Sequence, residues 1–427
     1  TAEDYVWSWQ RILTPSLGSQ YPDMLYYVQN AEEFHNGTID DFSNVGVKAL
    51  NSKTLEVTLK EPTPFFLGLL SHYSTWPVHK PTVLKHGTMD DRNGQWTRPG
   101  NFVCNGPFNL KTWELNKKIV VDKNPLYWDA DIVELNEIHF YPISNEMTEE
   151  RMFRAGQLHV TSTFPSNKCE PNIQEINPNI KIHPYMGTYF YRFNTANKAL
   201  DDVRVRKALA YSIDRQKIVE SVTRCGQIPA YSFTPPGSNG FYPDTKIPYD
   251  VDLARNLLKE AGYDSGDEFP VLEILFNTSE GHRKVALAIQ QMWQQNLGIN
   301  VELVNQDWKV YLSREMIGDF QVSRAGWIGD YEDPNTFLDT MRPNRGNNKT
   351  RWDNYEFDGL LAKANATLDQ EERYKILMEA ERLLIDEMPI APIYTYVRVY
   401  QLHEDVKGWY PNILSHHHPK YIRIERD

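Results

Sequence analysis

Val271-Leu272-Glu273-Ile274-Leu275-Phe276, then a helical stretch from about His282 to Leu297, then Ile299-Asn300-Val301-Glu302-Leu303 is the passage that decides the fold. The first segment is short, apolar and rich in strand formers, which predicts a strand. The second is long enough for a helix, and Gly298 stands where such a helix stops. In the third, Ile299, Val301 and Leu303 alternate as in another strand. Working outward, Asp307 can cap a helix running into Tyr311 and Leu312, and Phe320 to Ser323 reads as strand again. Upstream, Asp250 can cap a helix with Leu253, Leu257, Leu258 and Ala261 on one face and Gly262 at its end. Downstream, Ile376, Leu377, Ala380, Leu383 and Leu384 recur at helical spacing until Pro389. Strand–helix alternation on this scale implies an α/β chain with crossover connections.

The first third is different in texture, mostly strands and turns. Val47 to Leu50, Asn51-Ser52-Lys53 and Thr54 to Leu59 predict a hairpin whose second arm alternates. Lys118 to Val121 and Glu137 to Tyr141 are further strand candidates, separated by the loop-like Asn124-Pro125-Leu126-Tyr127-Trp128. Glu146 to Ala155 predicts a short helix closed by Gly156. No internal repeat or low-complexity linker interrupts the chain.

At 427 residues the chain calls for two or three lobes rather than one core. No apolar run approaches the roughly 18 residues of a membrane span, so the expectation is a protein that does not cross the bilayer. The net charge of −12 disfavours nucleic acid as a partner. Eleven Trp and 24 Tyr suit a lining that meets varied ligands, and equally the filling of a large core. Cys104, Cys169 and Cys225 form no CxxC and predict no disulfide framework, so they leave the redox compartment unread. No leader peptide is visible at Thr1-Ala2-Glu3-Asp4-Tyr5.

GxxxxGK[ST], HExxH and GxSxG are all missing, so no common catalytic chemistry is indicated. His416-His417-His418 precedes Pro419, and three consecutive side chains fan apart, so no metal site is expected there. The informative segment is Ser323-Arg324-Ala325-Gly326-Trp327-Ile328-Gly329-Asp330-Tyr331-Glu332-Asp333-Pro334. It leaves the carboxyl end of a predicted strand, where α/β sheets place ligands. Its glycines admit close backbone approach, Trp327 offers a flat wall, and Arg324 and Asp330 supply one charge of each sign. That set fits a zwitterion, or a structural ion pair around a turn.

This segment resembles the ligand-binding stretch of the oligopeptide-binding proteins of ABC importers (extracytoplasmic solute-binding family 5). Further blocks match in order: Thr1 to Trp9, Asn105-Gly106-Pro107-Phe108, Asp202 to Leu209, Pro229 to Pro236, Phe276-Asn277-Thr278-Ser279 and Val304 to Lys309. The resemblance implies a periplasmic-binding-protein-like α/β fold, multi-lobed, with mixed sheets and a hinge between lobes. In it, 1–79 is a remnant of the second lobe, 80–186 with 399–427 the main lobe, and 187–398 the third, hinged near 186 and 398. Thr1 falls after about the first fifth of such proteins, which implies a leader and early main-lobe strands upstream of it. A chain beginning at Thr1 is expected to leave a main-lobe sheet edge bare, to self-associate and to bind weakly.

By the same resemblance Asp330 holds the peptide ammonium, and Gly326 and Trp327 lie along the peptide backbone. Asn277 and Trp308 line pockets, Arg324 and His282 stand near the peptide carboxylate, and Trp7 and His72 form the opposing wall. Glu315 and Thr223 occupy positions that are basic in some members, each beside an arginine, Arg314 and Arg224. The implied function is capture of oligopeptides and delivery to the permease subunits of an ABC importer, without catalysis or cofactor. The implied state is a periplasmic or extracytoplasmic monomer, lipid-anchored in its full-length form. A murein peptide, nickel chelate, sugar or opine as ligand, or a peptide hydrolase, are the alternatives.

Overall fold

A computed structural model of the chain describes residues 1–170, 172–343 and 347–426. It divides into two compact units, one of Thr1–Glu149, Leu402–Pro411 and His416–Asp427, the other of Glu150–Gln401 and Asn412–Ser415.

The first unit holds the expected hairpin, Val47–Asn51 antiparallel to Thr54–Val57, with Leu55 and Val57 turned inward. Helix Ala2–Leu13 buries Trp7, Trp9 and Leu13. Phe108–Glu114, Lys118–Lys123 and Glu137–Phe140 form a three-stranded antiparallel sheet.

The second unit is built on a six-stranded mixed sheet in the order Ile228–Pro229, Ile390–Gln401, Ile180–Phe193, Val322–Ile328, Leu272–Asn277, Val301–Gln306. The last three strands are parallel and the others antiparallel. Helix Glu280–Leu297 makes the crossover between the two parallel strands at its flanks, with Gly298 at φ 74° closing it. Helix Trp308–Ile317, capped by Asp307 through the Lys309 amide, returns the chain to Val322–Ile328. One core packs Ile274, Ile289, Trp293 and Tyr191, and another Phe190, Phe233, Phe357 and Leu377, so aromatic neighbours in Ile180–Phe193 serve different cores.

Four expectations change. The strand read as Phe320 to Ser323 is Val322–Ile328, so Arg324, Gly326 and Trp327 are strand residues rather than loop. Pairing with Ile180–Phe193 carries the strand through its glycine. In helix Val251–Glu260, Asp250 accepts from the Leu253 amide as expected, but Ala254 and Leu258 are the buried residues and Leu253 is exposed. Ile299 is buried ahead of its strand, which begins at Val301. Cys169 and Cys225, 56 residues apart, form a disulfide, leaving Cys104 as the free thiol. Their pairing is a product of tertiary folding that spacing does not reveal.

Candidate ligand-binding site

Val322–Ile328 pairs along its whole length with Ile180–Phe193, from Val322↔Phe193 to Ile328↔Gly187. On its other side it meets Leu272–Asn277 only at Val322 and Ser323. Beyond them that edge has no strand partner among the described residues. The Gly329 amide donates to the Met186 carbonyl at 2.8 Å. Main-chain groups alternate in direction along a strand, so Arg324, Gly326 and Ile328 turn theirs toward the open edge. In keeping with this, the Tyr311 hydroxyl donates to the Arg324 carbonyl. Glycine at 326 makes room for Tyr396, since a Cβ there would lie 2.5 Å from the Tyr396 hydroxyl oxygen and displace that ring.

Arg324 lies within a cage of tyrosines. Its guanidinium donates to Asn277 Oδ1 at 3.1 Å and to the Tyr396 hydroxyl at 3.3 Å, and sits 5.0 Å over the Tyr189 ring. Its Nε is buried without a hydrogen-bond partner, and no carboxylate pairs with it among the described residues. Burial opposes its charge, yet the oxygens of Tyr396, Tyr189, Tyr311 and Tyr394 hold its pKa above the ordinary value. Burial in turn raises Tyr396, and takes Tyr189 to about 12, so the cage is neutral and Arg324 its one cation. His282, in the first turn of Glu280–Leu297, lies 5.6 Å from Tyr189. Burial, then Arg324, pushes its pKa to about 2, so it is a neutral imidazole.

Asp330 lies two residues past the strand, and its amide donates to Thr336 Oγ at 2.9 Å. The turn behind it is fixed: Arg373 grips both oxygens of Asp333 at 2.6 and 2.8 Å, and the Asp333 carboxylate also accepts from the Asn335 amide. Trp327 points the opposite way from Arg324 and packs against the other core. Trp308 is 51% exposed and stacks on Tyr311 at 5.5 Å. Arg324, Asn277, His282 and Gly326 thus come together, with Asp330 at the next turn.

Trp7 and His72 belong to the other unit. Trp7 is buried, with Lys80 Nζ 5.9 Å over its ring. His72 is buried, lies tilted against the Tyr73 ring at 4.0 Å and meets Ser74 Oγ at 2.8 Å. Burial, then His416, lowers its pKa to about 4.

Glu315 is buried and accepts from Arg192 at 2.6 Å and Ser323 Oγ at 2.7 Å. Arg314 is committed elsewhere, to Glu273 at 2.8 Å and Asp319 at 2.9 Å. Thr223 is buried and Arg224 is exposed at φ 61°. The tyrosine cage escaped the reading of the sequence, although Tyr189 with Tyr191, and Tyr394 with Tyr396, stand two apart, the spacing of one strand face.

Residues 1–349 match the family described as "Bacterial extracellular solute-binding proteins, family 5 Middle". The chain belongs to this family. It is 39% identical to the oligopeptide-binding protein OppA of Bacillus subtilis, over 96% of this chain and 76% of that one. It is 38% identical to the periplasmic oligopeptide-binding protein OppA of Salmonella typhimurium, over 93% and 73%. Among solved structures, the Escherichia coli murein tripeptide binding protein MppA superposes with a TM-score of 0.93 at 34% identity, over all of this chain and 84% of that one. Haemophilus influenzae OppA in complex with RPPGFSPFR gives 0.91 at 33%, over 99% and 84%. No helix among the described residues is long and apolar enough to cross a membrane.

Proposed function

We propose that this chain is an extracytoplasmic receptor that binds oligopeptides in extended form and hands them to an ABC importer. One observation carries the reading: the open strand edge at Gly326 and Ile328, with a carboxylate beyond one end and, at the other, the Arg324 guanidinium, which has no carboxylate partner among the described residues. An extended guest completes such an edge through its main chain, which makes recognition tolerant of side chains. Asp330 takes the ammonium and Arg324 the carboxylate, so the guest runs antiparallel to Val322–Ile328. Arg324 to Ile328 covers about 13 Å at strand rise, near the length of an extended tri- or tetrapeptide.

Gly326 forms the floor of the groove, Asn277 and His282 flank the carboxylate, and Trp308 lines a pocket rim. Trp327 supports the strand from behind. Residues 1–79, 80–186 with 399–427, and 187–398 are the lobes, and the hinge lies in the long strands near 186 and 398. The protein performs no chemistry. Its partners are permease subunits, and it works as a monomer in the oxidising space outside the cytoplasm, where a disulfide such as Cys169–Cys225 persists. A lipid anchor is part of the same reading.

Calorimetry with tri-alanine and its N-acetylated form tests this. Free peptide binds the wild type at least tenfold tighter, and Asp330→Asn removes the difference, since a charge-assisted bond is worth about 1.5–3 kcal/mol. Equal affinity for both forms in the wild type overturns the assignment.

A further inference from the structure

Arg398 is a second cation on the same face of the sheet, and it makes no hydrogen bond or ion pair among the described residues. It lies on Ile390–Gln401 opposite His183. Its guanidinium is 5.4 Å over the Tyr185 ring, and its Nε is buried without a partner. The side chain as a whole is only partly buried, so a solute can reach it. Unsatisfied buried donors are rare in folded proteins, and a structural arginine normally spends its donors on carbonyls. This chain does so elsewhere: Arg215 donates to the Pro392, Ala210 and Ile213 carbonyls, and Arg206 to those of Glu387, Leu200 and Asp201. Arg398 has no such anchor. The groups facing it supply no negative charge either. His183 has its pKa lowered by burial and then by Arg398, and accompanies Tyr400 at 3.2 Å.

The rings join this cation to the binding face. Arg324 donates to Tyr396, Tyr396 is 6.4 Å from Tyr185, and Tyr185 underlies Arg398. Along Ile180–Phe193, Arg324 lies at the level of Tyr191 and Ile328 at Gly187, while Arg398 lies farther on, at His183. Arg398 therefore stands toward the end where the strand leads into Asp330.

We infer that Arg398 is a subsite for a carboxylate carried by a side chain among the first residues of the bound peptide. The inference rests on the proposed polarity, with the ammonium at Asp330. A peptide's own carboxylate is directed away from this end, which leaves an acidic side chain as the source. Guanidinium over an aromatic ring presents its remaining N–H fork to such a group. The receptor thus prefers peptides with Glu or Asp near the amino terminus while still accepting neutral ones.

Calorimetry on the wild type, Arg398→Met and Arg398→Lys with Ala-Ala-Ala, Glu-Ala-Ala, Gln-Ala-Ala, Ala-Glu-Ala and Ala-Gln-Ala decides the matter. The wild type should bind Glu over its Gln counterpart at least tenfold at position 1 or 2. Arg398→Met should abolish that preference while changing tri-alanine affinity less than twofold, and Arg398→Lys should keep part of it. A preference that is absent from the wild type, or unchanged in Arg398→Met, overturns the subsite while leaving peptide binding in place. If tri-alanine fails to bind the wild type, the peptide reading falls and the subsite with it.

Discussion

Arg373 and Arg324 are both arginines of the second unit, one against the turn that follows Val322–Ile328 and the other near the start of that strand, and the protein treats them oppositely. Arg373 and Asp333 hold each other in a bidentate pair, with both side chains almost wholly buried. Arg324 is given only neutral partners, an amide oxygen, a phenol and an aromatic face. A cation whose counter-ion is built in serves the fold. On the proposed reading, one whose counter-ion is withheld is primed for a ligand that brings it, and much of its desolvation precedes binding.

The largest expected effect tests that division directly. Arg373→Met strands a buried carboxylate and should cost about 3–5 kcal/mol of stability, whereas Arg324→Met strands no charge and should change stability by about 1 kcal/mol or less. Urea denaturation of both variants is the measurement, and comparable losses would erase the contrast.

Glu381 is the acidic counterpart of Arg324, a buried carboxyl given no cation among the described residues. It is buried and accepts only from the Phe233 and Thr234 amides and the Thr234 hydroxyl. Burial dominates those bonds and raises its pKa from 4.5 to about 7. The acid form is thus favoured in the folded state. The associated stability is fully present below about pH 4.5, is lost as pH rises toward 7, and amounts to about 3 kcal/mol. Glu381→Gln should flatten this part of the stability–pH profile in thermal denaturation.

Next in size is the ligand end of the comparison. Amidating the carboxyl terminus of tri-alanine should weaken binding to the wild type by tenfold or more, and by less than twofold in Arg324→Met, as read by calorimetry. The smallest effect belongs to Arg314, whose pairs with Glu273 and Asp319 are partly solvated. Arg314→Ala should cost about 1 kcal/mol or less and leave peptide affinity unchanged.

The parallel half of the large sheet was legible in the sequence because its elements are local. Each strand or helix there carries its own period, and Asp250, Asp307 and Gly298 mark the ends. The long strands Ile180–Phe193 and Ile390–Gln401 were not. Met186 to Tyr191 are buried on both faces, which removes alternation, and Pro184 and Pro392 look like breakers until register shifts accommodate them. The site divides in the same way. Arg324, Gly326 and Asp330 sit close together in one segment and could be read there. The tyrosines around Arg324, the Arg192–Glu315 pair and the Arg398 position depend on strand register, which a single sequence does not display.

The open edge beyond Ser323 also has a colloidal consequence. While vacant, it offers unpaired amides and carbonyls to any extended chain, including another copy of this protein in the act of folding. Cargo covers those groups, so a loaded receptor is the less sticky one. Peptide supply would then govern how long the protein survives in suspension as well as what it delivers.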